Sequence, residues 1–228
     1  MIEQFIKDLK KSPDTKNIFN PWWHVDWANE QNDQGPQIRR RQLKQYLLER
    51  QKTARYLLLG EALGYQGGHF SGIAMTSERI LLGKMLPQGI LPEHVFTAIK
   101  PQRTSKSNIK PDGFSEPTAT IVWKFIIKSG VDPGQFVIWN AFPWHPYHPH
   151  KGLLSNRTPS DDEFMNGHKI LTSMMNLFKF KRVIAVGEKA SRQFCHMGVG
   201  CAKVRHPANG GATKFRMQMA ELVQKGGK

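Results

Sequence analysis

Residues 55–78 read RYLLLGEALGYQGGHFSGIAMTSE, and the rest of the chain can be arranged around them. Tyr56–Leu59 is a short, continuous apolar run, the pattern of a strand buried on both faces. It stops at Gly60, and Gly64, Gly67, Gly68 and Gly72 follow closely. Thr76 and Ser77 then offer an N-cap, and Arg79–Leu82 reads as a helix. Strand, glycine loop, helix is how α/β proteins bring backbone N–H groups to a polar ligand at the carboxyl edge of a sheet. Glu61 stands at that edge between glycines, where packing gives a carboxylate little reason to be. A reagent and an ordinary turn residue both satisfy that placement. The loop is no Walker loop, since no Gly-Lys-Ser/Thr follows, and its glycine spacing is not that of a dinucleotide fingerprint.

Upstream, residues 2–11 predict a short helix. An aromatic-rich loop follows, with Phe19, Trp22, Trp23 and Trp27 around Asn20-Pro21. It reads either as a flap over one edge of the core or as a platform for stacking bases. Gln37–Gln51 is a helix with Leu43, Tyr46, Leu47 and Leu48 inward, and its Arg39-Arg40-Arg41 run reads as a solvated face that would contact phosphate near DNA.

Downstream, Leu91–Ala98 predicts a helical turn or two. Residues 99–113 are loop, and Lys100, Arg103, Lys106 and Lys110 make it a mobile, phosphate-facing candidate. Ser115-Glu116-Pro117 starts a helix to about Ser129. Phe136–Trp139 is a second buried strand, ending at Asn140, and 141–159 is loop. Ser160–Glu163 opens a helix with an acidic first turn. Val183–Val186 is a third strand, Glu188–Met197 a helix, Lys203–Arg205 a fourth strand ending at His206, and Gly211–Lys225 the closing helix. Alternating strands and helices predict an α/β fold: a three-layer α/β/α sandwich on a central four-stranded parallel sheet. Residues 1–228 read as one domain, with an N-terminal extension over 1–36. Glu61, Asn140 and His206 then converge on one edge.

The chain carries 33 Lys and Arg against 18 Asp and Glu, a formal +15, which points to a polyanionic partner. No stretch has the apolar length to span a membrane, and MIEQFIKDLKK lacks a signal peptide's uninterrupted apolar region. Cys195 and Cys201 are too few for a four-cysteine site and read as reduced thiols of a cytoplasmic protein. His145, His148 and His150 lie in a proline-broken WHPYHPH without helical ligand spacing. Neither a metal nor a cofactor is expected.

No G-x-S-x-G elbow is present, which sets aside one class of hydrolase. Cleavage of a glycosidic bond fits better. It builds positive charge on the sugar, answered by a carboxylate, and negative charge on the leaving group, answered by an imidazole or N–H. On DNA the base must first leave the stack.

Three motifs carry a family likeness: GEALGYQGGHFSGIAMTSE from Gly60, VIWNAFPWHPY from Val137 and VRHPANGG from Val204. In that order, over roughly 37–225, the chain resembles the uracil-DNA glycosylase superfamily. The resemblance implies that Glu61 activates water or stabilises charge, that Asn140 reads the edge of the flipped base, and that His206 bonds the pyrimidine O2. It implies a backbone cradle from Gly60, Ala62, Leu63 and Gly64, with Arg103, Lys106, Arg205 and Asn209 on the DNA. Relatives often carry Gly-x-Pro-Phe after the glycine loop, where this chain has Gly72-Ile73-Ala74-Met75, a more pliable wall. After His206-Pro207 the chain is small where relatives carry a wedge. No iron–sulfur cluster is implied, for want of cysteines. The expected activity is that of a monomeric, monofunctional DNA glycosylase leaving an abasic site. Its base is uracil by family default or an enlarged modified cytosine of phage DNA, as in host defence. The alternative is an inactive DNA-binding protein on the same fold.

Overall fold

Tyr56–Ala62 (β2) runs past its apolar residues, because the parallel ladder to Phe136–Phe142 (β3) pairs Gly60 with Asn140 and Ala62 with Phe142. Both strands were expected to stop at the glycine and the asparagine. Backbone pairing overrides that local signal, so Glu61 and Asn140 sit within strands rather than in loops after them.

The computed structural model describes residues 1–13 and 16–224. Before β2 come α1 (Ile2–Leu9), β1 (Ile18–Phe19) and α2 (Gly35–Arg50). Between β2 and β3 lie α3 (Gly68–Ser71), α4 (Glu78–Leu81) and α5 (Pro117–Lys128). After β3 follow β4 (His145–Pro146), α6 (Asp161–Met175), β5 (Arg182–Val186), α7 (Glu188–His196), β6 (Ala202–Val204) and α8 (Ala212–Gln224). The closing helix was expected to reach Lys225, which lies outside the described residues. Leu91–Ala98 contributes a single 3₁₀ turn, Pro92–His94.

The four-stranded sheet has the order β3-β2-β5-β6, all parallel. Right-handed crossovers put α5 on one face and α6 and α7 on the other. Phe125 of α5 meets Phe215 of α8 edge-on at 5.9 Å, so α8 joins the α5 face. The α6 start is held by a capping box: Ser160 Oγ accepts from Glu163 N–H at 3.3 Å, and Glu163 Oε2 accepts from Ser160 N–H at 2.8 Å.

The free edge of β3 is covered by α2. Ile138 N–H donates to Tyr46 Oη at 2.8 Å, and Arg50 Nε donates to Phe136 O at 2.8 Å. That leaves no open strand edge for another chain to pair with on this side. Leu43, Tyr46, Leu47 and Arg50 make the buried stripe of α2 at helical spacing, so Leu48, expected inward, turns out to solvent. The basic run is likewise not a solvated face throughout. Arg39 is buried, bonded to Glu30, Pro21 O and His24 O.

The aromatic loop covers the core with only part of its rings. Trp22 is buried, stacked on Trp139 with ring centroids 5.8 Å apart, while Trp23 and Trp27 are 47% and 69% exposed. A two-residue ribbon that the sequence did not signal, β1 against β4, pairs Phe19 with His145. It ties this loop to the one after β3.

Candidate active site

The connection from β2 to β3 crosses the sheet one way, and those from β3 to β5 and β6 run the other way. The switch point therefore lies between β2 and β5, where diverging loops leave a crevice at the carboxyl edge. A cleft of about 390 Å³ occupies it, lined by Glu61, Gly187, Lys189, Arg205, His206 and Asn209.

Glu61 is 32% exposed, and its Oε1 lies 3.1 Å from Lys189 Nζ. That ammonium also donates to Thr158 Oγ1. His206, just beyond β6, faces Gly187, whose φ of 97° calls for glycine and where a side chain would crowd the His206 Cβ. Burial lowers His206 below the ordinary imidazole range, Arg205 adds to this, and the Glu61 carboxylate opposes it. Ala208 N–H donates to His206 Nδ1 at 3.1 Å. A neutral ring that accepts at Nδ1 carries its proton on Nε2, ready to donate.

Asn140 and Met75 form a second group on the opposite face of β2. A side chain at Gly60 would sit 2.5 Å from Asn140 Oδ1 and 3.2 Å from Met75 Cε, so only glycine fits between them. Asn140 is 2% exposed, and its Oδ1 is buried without a hydrogen-bond partner. Such an orphaned acceptor is costly unless a ligand completes it. Met75 sits over it with φ at 42°, a left-handed conformation that strains a side chain of this kind.

A family model of the uracil DNA glycosylase superfamily matches residues 49–224. The chain belongs to that superfamily. It is a DNA glycosylase, a hydrolase of N-glycosyl bonds, and DNA is its substrate. A search of curated proteins found no match. Among solved structures, wild-type SMUG2 of Pedobacter heparinus aligns with a TM-score of 0.59 at 15% identity, covering 98% of this chain and 95% of that chain. At that identity the likeness speaks to the fold, which it shares. No helix among the described residues is long and apolar enough to cross a membrane.

Within the glycosylase the other candidates are placed unevenly. Leu63 is buried, packed into the space a side chain at Gly68 would need, and its N–H donates to Trp144 O at 3.3 Å. The backbones of Gly60 and Ala62 belong to the β2–β3 ladder. Of the four residues expected to cradle a base, Gly64 begins the loop beyond the ladder, and a Cβ there would approach Asn156 at 3.5 Å. Arg103 and Lys106 were expected on phosphate. In the unbound protein Arg103 donates to Lys110 O and Pro111 O, and Lys106 to Trp27 O and Ala28 O at 2.9 and 3.0 Å. Nor is their loop free: Thr104 and Ser105 are buried against Glu78.

The residues missed by sequence reading are Lys189, Asn156 and Thr158. Asn156 Oδ1 accepts from Tyr65 N–H at 2.9 Å and Thr158 Oγ1 accepts from Lys189, so this segment links the glycine loop to the start of α7. One signal was available. VGEK after β5 repeats the strand-Gly-Glu pattern of LGEA after the apolar run of β2.

Asp26, His69 and His145 form a buried relay. His145 Nε2–H donates to Ser155 O at 2.8 Å, His69 Nδ1 lies 3.0 Å from His145 Nδ1, and His69 Nε2 lies 3.1 Å from Asp26 Oδ2. Burial pushes the His69 imidazole down to about 4, although the Asp26 carboxylate beside it opposes the shift. The relay locks together the aromatic loop, the glycine loop and the loop after β3.

Proposed function

We propose that the glycosylase flips a non-canonical pyrimidine out of DNA and hydrolyses its N-glycosidic bond as a monomer, leaving an abasic site without cutting the strand. The observation that carries this reading is the pairing of the Glu61 carboxylate with a neutral, Nε2-protonated His206 in one cleft at the switch point. As the C1′–N bond lengthens, the sugar becomes positive, and Glu61 offsets that charge and orients the attacking water. Electrons flow to the base, and His206 Nε2–H donates to its O2. The Asn140 amide reads the outer edge of the base, its free Oδ1 accepting an imino or amino hydrogen.

We extend the proposal to an enlarged modified cytosine of phage DNA, which makes the enzyme an agent of host defence; uracil is the family alternative. Two features support the larger base. Met75 is an unbranched thioether that can move off Asn140, where a phenyl ring would be a fixed wall. Gly64 carries no side chain, so the loop there presents only backbone beside Asn156. The Lys189–Glu61 pair favours a second reading, a binding protein whose carboxylate is neutralised.

The test is a panel of duplexes carrying different modified bases, scored by mass spectrometry for free base and by alkali for abasic sites. Release of one enlarged cytosine and alkali-dependent breaks are expected. Binding without any released base would establish the second reading. Met75→Phe should slow the enlarged substrate by about 1–3 kcal/mol of barrier, the usual cost of overpacking, and spare uracil. Equal effects on both substrates would remove Met75 from base choice.

A further inference from the structure

Residues before 49 lie outside the matched family segment, yet they build a feature of their own. Between α1 and α2 runs a groove of about 580 Å³ that holds Lys7, Lys10, Arg40, Arg41, Lys44 and Trp23. Glu3 is the one acid on its walls, and it pairs with Lys44. Lys10 Nζ stands 3.5 Å over the Trp23 ring, and Arg40 donates to Trp22 O, the carbonyl just before it. Lys7 and Arg41 are exposed and form no ion pair among the described residues. Because α2 lies along the free edge of β3, the groove is on the flank of the sheet, across β3 and β2 from the cleft.

A solvated basic face explains cations but not their grouping. Five cations around one concavity repel one another, and the cleft does not use them. Nor does packing explain Trp23, whose indole is nearly half exposed while its neighbour Trp22 is in the core. A flat aromatic ring among ammonium and guanidinium groups matches one ligand chemistry: phosphates along a strand, with a base or sugar against the ring.

We propose that the α1/α2 groove is a second nucleic-acid site, which takes the stretch of DNA flanking the nucleotide held in the cleft. It rests on DNA being the substrate and not on which base is released. Because it requires only unmodified DNA, its failure and that of the base-release reading are separable.

Binding is measured by fluorescence anisotropy on unmodified duplexes, from one just long enough to cover the cleft to progressively longer ones. Wild-type affinity should rise with length and then level off. Lys7→Glu with Arg41→Glu should abolish that gain, weakening the longest duplex about tenfold and reducing the salt slope by about two, with the shortest duplex unaffected. Trp23→Ala should lower long-duplex affinity even at high salt, where stacking persists after phosphate contacts are screened. Lys7→Gln with Arg41→Gln removes the same two phosphate contacts and should lower the salt slope by a similar amount, about two, and serves if the charge reversals disturb folding. A loss shared equally by short and long duplexes, or no loss, overturns the proposal. So does poly-glutamate competing as well as DNA of equal charge, which would make the groove a general polyanion seat.

Discussion

Glu78 and Glu61 lie on one short stretch of chain, and the fold treats them in opposite ways. Glu78 is fully buried and accepts from Thr104 N–H at 2.6 Å, Ser105 N–H at 3.0 Å, Thr104 Oγ1 at 3.3 Å and Ser105 Oγ. Its lone pairs are filled, and it clamps the loop 99–113 onto the glycine loop. Glu61 is partly exposed, has one cation beside it and faces a cleft. A saturated carboxylate holds structure; an undersaturated one remains available to a substrate. The same division separates the Asp26–His69–His145 relay, in which every ring nitrogen is engaged, from Asn140, whose Oδ1 has no partner.

The largest expected effect falls on the saturated member. Glu78→Ala removes the acceptor of two buried N–H groups and of the Ser105 hydroxyl, while Thr104 Oγ1 keeps Phe70 O at 2.8 Å; the loss should cost about 3–5 kcal/mol in urea unfolding. The loop 99–113 should become sensitive to limited proteolysis in the same variant. A loss below about 1 kcal/mol would mean that water replaces the carboxylate and that no clamp exists.

Next comes Glu61→Gln. Stability and DNA affinity should hold, while single-turnover base release slows by a factor on the order of 10² or more. Turnover near wild type would show that the undersaturated carboxylate is merely exposed. Comparing the two variants asks one question: whether stability and activity separate cleanly between the two carboxylates.

Much of this division could be read from the residues. The strand-loop-helix order, the parallel sheet and the convergence of Glu61, Asn140 and His206 on one edge follow from local patterns of apolar runs, glycines and caps. What local pattern could not show is which face each residue takes. Glu61 and Asn140 share the carboxyl edge as expected, but pleating turns Glu61 towards Lys189 of α7 and Asn140 towards Met75, so the two would approach a base from different sides. Lys189 reaches Glu61 across 128 positions, and no periodicity encodes such a contact. Arg39 and Leu48 exchange their expected surroundings because Glu30 and two carbonyls make a buried site for a guanidinium.

Glu116 sharpens the comparison through pH. Its Oε2 is buried against Gly67 without a partner, and burial raises its carboxyl to about 7. Between the ordinary value and 7 the folded chain keeps a proton that the unfolded chain has lost, so stability falls as pH rises through that window. Glu116→Gln should remove that slope and raise stability at alkaline pH by about 1–2 kcal/mol, with little change in acid. Thermal melts of both proteins across pH read this directly, and parallel curves would show the carboxyl to be solvated.

Lys189 carries the smallest expected effect and the finest distinction. Its ammonium stands between Glu61 Oε1 and Thr158 Oγ1 and is 44% exposed. A pair so open contributes at most about 1 kcal/mol to stability, so Lys189→Met should fold normally. Under the proposed mechanism, a phosphate entering beside the cleft would offer the ammonium a second anion and would free Glu61 for the sugar. Lys189→Met should therefore weaken DNA binding a few-fold and lower the salt slope by about one, whereas Lys189→Arg restores both. At saturating DNA the rate of base release should change by less than about fivefold, since an exposed pair couples weakly. In the Glu61→Gln background the affinity loss should persist and any rate effect should vanish, because no carboxylate remains to be released. A rate effect of Lys189→Met that survives in that background would mean that the ammonium acts on the substrate itself, and Glu61 would not be the group it governs.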